Sequence, residues 1–227
     1  MDYDSCNTDL HLGEKTFQLS CHNFIQHSKA IGDGWVWESI EATNEGYMKK
    51  VLLKMKNAFG YTIPEQQKIV NEKTYRQEFE VQDTMDLEEI DISSIDLSGR
   101  EMIRFEYHVV YSSSYQVPVL YFRACDIDGR PLTLEEIWQS VQENYKERLL
   151  EGPWETITQQ EHPLLGQPFF ILHPCRTHEL MTPILKGARE EKQSVNYITA
   201  WLSMMGPVLG LNLPISYTTA TSAQQLD

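Results

Sequence analysis

Between residues 101 and 125 the chain alternates with a period of two. Ile103, Phe105, Tyr107, Val109 and Tyr111 interleave with Arg104, Glu106 and His108, the triplet Ser112-Ser113-Ser114 is turn-like, and the run VPVLYFRAC follows. Alternation of this kind puts successive side chains on opposite faces and identifies β-strands. Two such runs separated by a short polar turn form an antiparallel hairpin. Pro118 has no N–H to donate, so its backbone must lie at an edge, a bulge or the start of the second strand.

The remaining segments supply partners and cover for that hairpin. Over 13–31, Phe17, Cys21, Phe24, Ile25 and Ile31 fall on one helical face, and Gly32-Asp33-Gly34 stops the helix. Trp35, Val36 and Trp37 suggest a short strand. Over 46–56, Tyr47, Val51, Leu53 and Met55 share one side and Lys50, Lys54 and Lys56 the other, the pattern of a half-buried strand. Thr133 opens a helix with Glu136 completing a capping box; Leu134, Ile137, Trp138, Val141, Tyr145 and Leu149 form its buried face, and Gly152-Pro153 ends it. Residues 153–181 are rich in Pro, Gly and aromatics around one short apolar run, 168–172. A helix begins near Thr177 and fades by Gly187, and a last one covers 194–205 with Val195, Ile198, Trp201, Leu202 and Met205 on one face. Trp138, Trp154 and Trp201 read as core aromatics. The first fifteen residues look frayed and the tail from Ser216 is polar and mobile in expectation. Helix, strands, then helices define an α+β fold, an antiparallel sheet covered by helices, in a single domain over 1–227.

Charge excludes one class of partner. With 19 Lys plus Arg against 33 Asp plus Glu the net charge is −14, the wrong sign for broad nucleic-acid binding or for an anionic membrane surface. Eight acids and no base fall within 77–99, so 58–100 is expected to be a mobile acidic insertion, or alternatively a docking segment for a basic partner. No run of 18 apolar residues is present, and the acidic N-terminus MDYDSCNTDLHLGEK resembles neither a secretory nor a mitochondrial leader. Cys6, Cys21, Cys125 and Cys175 are scattered without a Cys-x-x-Cys pair. Reduced thiols and a cytoplasmic location are the expectation.

Two chemistries are absent as motifs, a Gly-rich phosphate loop and a Gly-x-Ser-x-Gly elbow. What stands out is His173-Pro174-Cys175-Arg176-Thr177-His178-Glu179, between an apolar run and a helix start. Three readings of Cys175 remain open on spacing alone. It is a buried structural thiol; or a metal ligand with His173 and His178, for which no fourth ligand is evident; or an acyl-carrying nucleophile. The last is favoured by a helix N-terminus, which favours the thiolate, by the positive charge of Arg176, and by a rigid Pro that fixes presentation. Cys125 reads as a packed strand thiol and His178 as solvated.

The stretches QPFFILHPCRTHELMTPIL, EYHVVYSSSYQVPVLYFRACDIDGRPLTLEEIW, GPWETITQQEHPLLGQPFF and VNYITAWLSMMGPVLGLNLPISY resemble the autophagy ubiquitin-like-conjugating enzymes, in particular the autophagy-related protein ten family. The resemblance covers nearly all of 101–217, is visible over 15–56 at GEKTF and GDGWVWE, and lapses over 58–100. It implies a reduced ubiquitin-conjugating-enzyme-like fold with a central antiparallel sheet flanked by helices. It also implies a reaction. The enzyme accepts autophagy-related protein twelve, a ubiquitin-like protein, from the activating enzyme autophagy-related protein seven. It holds that protein's terminal glycine as a thioester and passes it to a lysine of autophagy-related protein five. No cofactor or metal is needed in the conjugating enzyme itself.

The family's thioester cysteine follows His-Pro, so the role falls on Cys175. Ordinary ubiquitin-conjugating enzymes carry His-Pro-Asn several residues before the cysteine; here Cys175 itself follows His173-Pro174, and that Asn has no counterpart. His173 is a candidate oxyanion donor or lysine positioner, or else a structural hydrogen bond orienting the loop. Tyr115 lies where the family places a tyrosine near the acceptor lysine, so its phenol orients the amine or anchors the hairpin. Two rivals stand beside this reading. The autophagy-related protein three type shares His-Pro-Cys-Arg but delivers to phosphatidylethanolamine and begins with an amphipathic helix, against which helix 13–31 is weakly basic at best. A non-catalytic adaptor for ubiquitin-like proteins has no need of a presented thiol.

Overall fold

A computed structural model describes residues 12–40, 45–57, 60–62, 102–141 and 157–217. The acidic 77–99 stretch, Cys6, Tyr145, Leu149 and Trp154 lie outside the described residues. Among the described residues seven strands form one antiparallel sheet: β1 (Val36–Ile40), β2 (Glu45–Asn57), β3 (Gly60–Thr62), β4 (Met102–Ser112), β5 (Val117–Asp126), β6 (Ile157–Glu161) and β7 (Pro168–Leu172). Six run in the order β1-β2-β4-β5-β7-β6, and β3 pairs with the end of β2. Among the described residues four α-helices accompany them: α1 (Glu14–Ala30), α2 (Leu134–Ser140), α3 (Thr177–Glu190) and α4 (Tyr197–Met205).

The hairpin expected from the alternation is β4–β5, paired from Ile103↔Asp126 to Ser112↔Val117. Pro118 is the second residue of β5, opposite Tyr111. The other neighbour, β7, pairs with β5 only at Tyr121 and Phe122, so no ladder bond is lost at the proline. Ile103, Phe105, Tyr107 and Val109 join Phe17, Cys21, Phe24 and Ile25 of α1 and Ile198, Trp201 and Leu202 of α4 in the main core, as the sequence periodicities require. A smaller cluster, Tyr47, Val110, Val119, Tyr121, Phe169 and Ile171, lies on the opposite face of the sheet, with Ile40, Leu164 and Leu165 packed against it.

Three expectations need correction. The first concerns β2, whose lysines face the main core. Register sets Lys50 against Tyr107, Leu52 against Phe105 and Lys54 against Ile103, so the even residues of β2 share the helix-covered face with the odd residues of β4. Met48 and Leu52 provide the apolar content, and Lys50 and Lys54 are 4% and 1% exposed. Lys50 bonds Asp33 at 2.6 Å. Lys54 Nζ donates to Tyr107 Oη at 2.5 Å and to the Leu209 carbonyl at 2.9 Å, above the Phe105 ring at 4.3 Å. The second concerns α2. The capping box forms, with Glu136 N–H donating to Thr133 Oγ1 at 3.2 Å and Thr133 N–H to Glu136 Oε2 at 2.7 Å. However, Leu134 is 40% exposed, because the first helical position faces outward while Ile137 and Val141 turn inward. The helix ends at Ser140, since Val141 is extended and buries its β-branched side chain in the main core. The third concerns the first two residues of the tail, 216–217; the rest of it lies outside the described residues. Tyr217 is 2% exposed, stacks on Phe24 at 4.5 Å and donates to Asp33 Oδ2 at 2.8 Å. Packing on α1 overrides the polar composition there.

Burial, with Lys50 nearby, lowers the Lys54 pKa to about 7. The unfolded chain, with an ordinary value near ~10.4, binds the extra proton between those two pH values, so this residue's contribution to stability rises as pH climbs from 7 to about 10. Lys54→Met should therefore raise the melting temperature at pH 7, by about 1 kcal/mol or more in stability, because Tyr107 Oη already serves the Leu209 carbonyl at 3.0 Å. Thermal melts at pH 7 and at pH 9.5 check this: the gain should shrink at the higher pH, and a loss at pH 7 would contradict it.

Candidate functional site

β7 leads directly into the Cys175 segment. Its residues alternate between the two cores, Phe170 and Leu172 toward the helices and Phe169 and Ile171 toward the other face. His173 remains extended (φ −61°, ψ 129°) and caps a 3-10 turn, Pro174–Arg176, with Pro174 at its first position. A proline suits that place because the missing N–H would have had no partner and its φ is already helical. α3 follows at once from Thr177. Cys175 is thus held at a helix start, half-buried, by residues whose backbone freedom is small. The Cys175 N–H donates to His173 Nδ1 at 3.3 Å, so the neutral imidazole carries its proton on Nε2. Arg176 reaches forward to Glu179, Nε to Oε2 at 3.3 Å, an exposed pair of little energetic weight. Thr177 is buried at 2% with its Oγ1 lacking a hydrogen-bond partner.

The hairpin turn brings the third residue. Gln116 N–H donates to the Ser112 carbonyl at 2.7 Å and Tyr115 N–H to Ser112 Oγ at 3.3 Å. Gln116 takes a left-handed φ of 54° to close the loop. This geometry projects Tyr115, 47% exposed, onto His173. The rings meet edge to face, 5.6 Å apart at 81°, and Tyr115 Oη lies 3.5 Å from His173 Nε2, at the outer limit of a hydrogen bond. Tyr115, His173 and Cys175 therefore form one connected group, although 58 residues separate the tyrosine from the histidine. His173 links the two sides: one ring nitrogen orients the cysteine loop and the other faces the phenol. A cysteine on a rigid turn, its backbone tied to an imidazole that in turn meets a phenol, suits nucleophilic acyl transfer.

The other candidates fall elsewhere. Cys125 sits at the far end of β5, paired opposite Arg104, with its thiol directed at the Arg104 carbonyl at 3.9 Å. Cys21 is fully buried in α1, where burial pushes its thiol pKa up. Neither is in a disulfide, nor is Cys175. His178 is half-buried on α3, and its carbonyl accepts from Thr182 Oγ1 at 2.8 Å. Among the described residues no helix is long and apolar enough to cross a membrane.

One cluster was not legible in the sequence. Glu106 and His108 read there as the polar side of a strand, yet they are 3% and 1% exposed, and His162 is fully buried. His108 Nε2 lies 2.9 Å from Glu106 Oε1 and its Nδ1 lies 3.1 Å from His162 Nε2. Arg123 donates to both Glu106 oxygens. Burial alone would raise the Glu106 pKa, but the hydrogen bond from His108 and the Arg123 charge bring it to about 2. The only sequence signal was the apolar pair Leu164-Leu165 inside the turn after His162, unusual for an exposed turn and explained by its packing over the second core.

Comparison with known proteins gives a consistent result. Residues 16–216 match the family model described as autophagocytosis associated protein, active-site domain. The human ubiquitin-like-conjugating enzyme ATG10 is 51% identical over 222 residues, 96% of this chain and 97% of that one. The Arabidopsis thaliana protein of the same name is 41% identical over 49% of this chain and 51% of its own length. Autophagy-related protein 3 of Lodderomyces elongisporus is 26% identical over 52% of this chain and 31% of its own length.

Proposed function

The chain belongs to the autophagocytosis-associated active-site-domain family and is a ubiquitin-like-conjugating enzyme, and on that premise we propose that it carries autophagy-related protein twelve as a thioester on Cys175 and transfers it to a lysine of autophagy-related protein five. The Cys175 thiolate attacks the thioester carbonyl on the activating enzyme, autophagy-related protein seven, and expels that enzyme's thiolate. The acceptor lysine's neutral amine then attacks the new thioester, an amide forms, the Cys175 thiolate leaves and the amine proton passes to solvent. Both steps go through a tetrahedral oxyanion that needs a hydrogen-bond donor. His173 Nε2–H is the donor at the cysteine loop, and the Tyr115 phenol beside it orients the attacking amine in the second step only. The observation that carries this reading is the Tyr115–His173 contact beside Cys175, which joins the hairpin turn to the nucleophile. The activity supports autophagosome formation and is placed in the cytoplasm. The acidic 77–99 segment is proposed to be dispensable for charging within the single domain.

Near-complete coverage of the human relative, against a quarter identity over half the chain for the protein 3 relative, favours a lysine acceptor over phosphatidylethanolamine. Single-turnover discharge tests it. The preloaded thioester should transfer to autophagy-related protein five and not to phosphatidylethanolamine in vesicles; the reverse preference would overturn the assignment. In the same assay Tyr115→Ala should leave charging near the wild-type rate and slow discharge by about tenfold or more, since misplacing an attacking group is costly. Equal losses in both steps would make Tyr115 a structural anchor only.

A further inference from the structure

The β6–β7 hairpin holds the Cys175 loop, yet it is attached to the rest of the sheet by only two ladder positions, Tyr121↔Ile171 and Phe122↔Phe170. Among the described residues β6 pairs with β7 alone. Its turn folds back over the outer sheet face, where His162 is the hub. The His162 N–H donates to the Gln167 carbonyl at 2.7 Å, and the His162 carbonyl accepts from Leu165 and Gly166. The ring goes down between Tyr47, Tyr121, His108 and Phe169.

The hydrogen-bond pattern around that ring has one solution. Leu164 N–H can only donate, and it meets His162 Nδ1 at 3.3 Å. His162 therefore carries its proton on Nε2 and donates it to His108 Nδ1, 3.1 Å away. His108 must then carry its proton on Nε2, which donates to the Glu106 carboxylate at 2.9 Å. Every ring nitrogen is satisfied with both histidines neutral. A proton added to either ring would set two N–H groups against each other, at His108 or at Leu164. The charged and titratable groups facing the pair, among the described residues, are Glu106 on β4, Tyr121 and Arg123 on β5, and Tyr47 and Lys49 on β2. Burial first, then its neighbours' charges, lowers the His162 pKa to about 4; burial also lowers that of His108, against the opposing pull of Glu106.

Phe169 packs on both imidazoles, with ring centroids 4.9 Å away in each case. It begins the outward row Phe169, Ile171, His173, because alternate residues of a strand share a face. A slip of one residue in β7 would reverse that row and carry His173 away from Tyr115.

We infer that the chain Leu164–His162–His108–Glu106 is a register clamp for β7, and that His162 is a positioning residue for Cys175. The inference rests on the proposed role of Cys175 only for its catalytic consequence. The clamp itself is read without it. In heteronuclear NMR of the full chain, both rings should show the Nε2–H tautomer, His162 should remain neutral down to about pH 5, and His108 should titrate below the ordinary histidine range. His162→Phe, which keeps bulk but no donor, should slow charging by the activating enzyme about tenfold through kcat, with KM unchanged, and should change the iodoacetamide alkylation rate of Cys175 several-fold. His162→Gln, whose amide can both accept from Leu164 and donate to His108, should restore both rates. Titration of the two rings near pH 6.5, or an Nδ1–H tautomer at either, would overturn the clamp. Unchanged alkylation and charging in His162→Phe would overturn the positioning role. A wild-type protein that never charges at Cys175, yet whose Cys175 alkylation responds to His162→Phe, would sink the proposed function and leave the clamp standing.

Discussion

Glu106→Leu should destabilise the fold by about 3–5 kcal/mol, the range for removing one partner of a buried charge network. The carboxylate is 3% exposed and receives His108 Nε2–H and the Arg123 guanidinium. Leucine would leave the His108 N–H without its acceptor inside an aromatic shell of Tyr47 and Phe169, and an orphaned buried donor pays its full desolvation cost. In a chain of 227 residues such a loss corresponds to a melting-temperature drop on the order of 10 °C. Glu106→Gln keeps an acceptor oxygen and should lose about half as much or less. The pH dependence has a defined sign. Glu106 is depressed to about 2, so its contribution is present above the unfolded value near ~4.3 and is lost as pH falls toward 2. His162 is depressed to about 4, so the unfolded chain gains protons first, and stability already begins to fall below about pH 6.5. Thermal melts of both variants between pH 4 and 8 measure this. A Glu106→Leu protein within about 0.5 kcal/mol of wild type would contradict the network's role.

How far the sequence reveals this molecule depends on which physical rule governs each residue. Local rules were legible. The Thr133–Glu136 cap, the helix stop at Gly32-Asp33-Gly34 and the two long strands of the hairpin follow from spacing and turn chemistry, and they appear where expected. The faces of the strands were less legible. Polar residues at alternate positions normally mark the solvated side, but Lys50, Lys54, Glu106 and His108 are all buried. Both faces of the central strands are covered, by helices on one and by the β6–β7 turn on the other, so hydrophobicity no longer reports direction. Their partners, Asp33, the Leu209 carbonyl and His162, come from distant segments that no local pattern connects to them. The site divides in the same way. Cys175 in its His-Pro-Cys-Arg setting was legible as a presented thiol. The meeting of Tyr115 with His173 needed the β5–β7 pairing, which is two residues long and leaves little trace in sequence.

The second large effect falls on Cys175. Replacing its thiol with hydrogen in Cys175→Ala removes the sulfur proposed to hold the acyl group, so charging should fall to background. The fold should survive, because the side chain is half-buried and the turn is built from His173 and Pro174. Cys175→Ser offers an oxygen in the same place. A serine ester resists thiols and amines better than a thioester, so an adduct formed there should accumulate.

Mixing the protein with autophagy-related protein seven, ATP and autophagy-related protein twelve, followed by a non-reducing gel, measures the central claim directly. The wild-type chain and Cys125→Ala should form a thiol-sensitive adduct, Cys175→Ser a thiol-resistant one, and Cys175→Ala none. An adduct that persists in Cys175→Ala and disappears in Cys125→Ala would contradict the account.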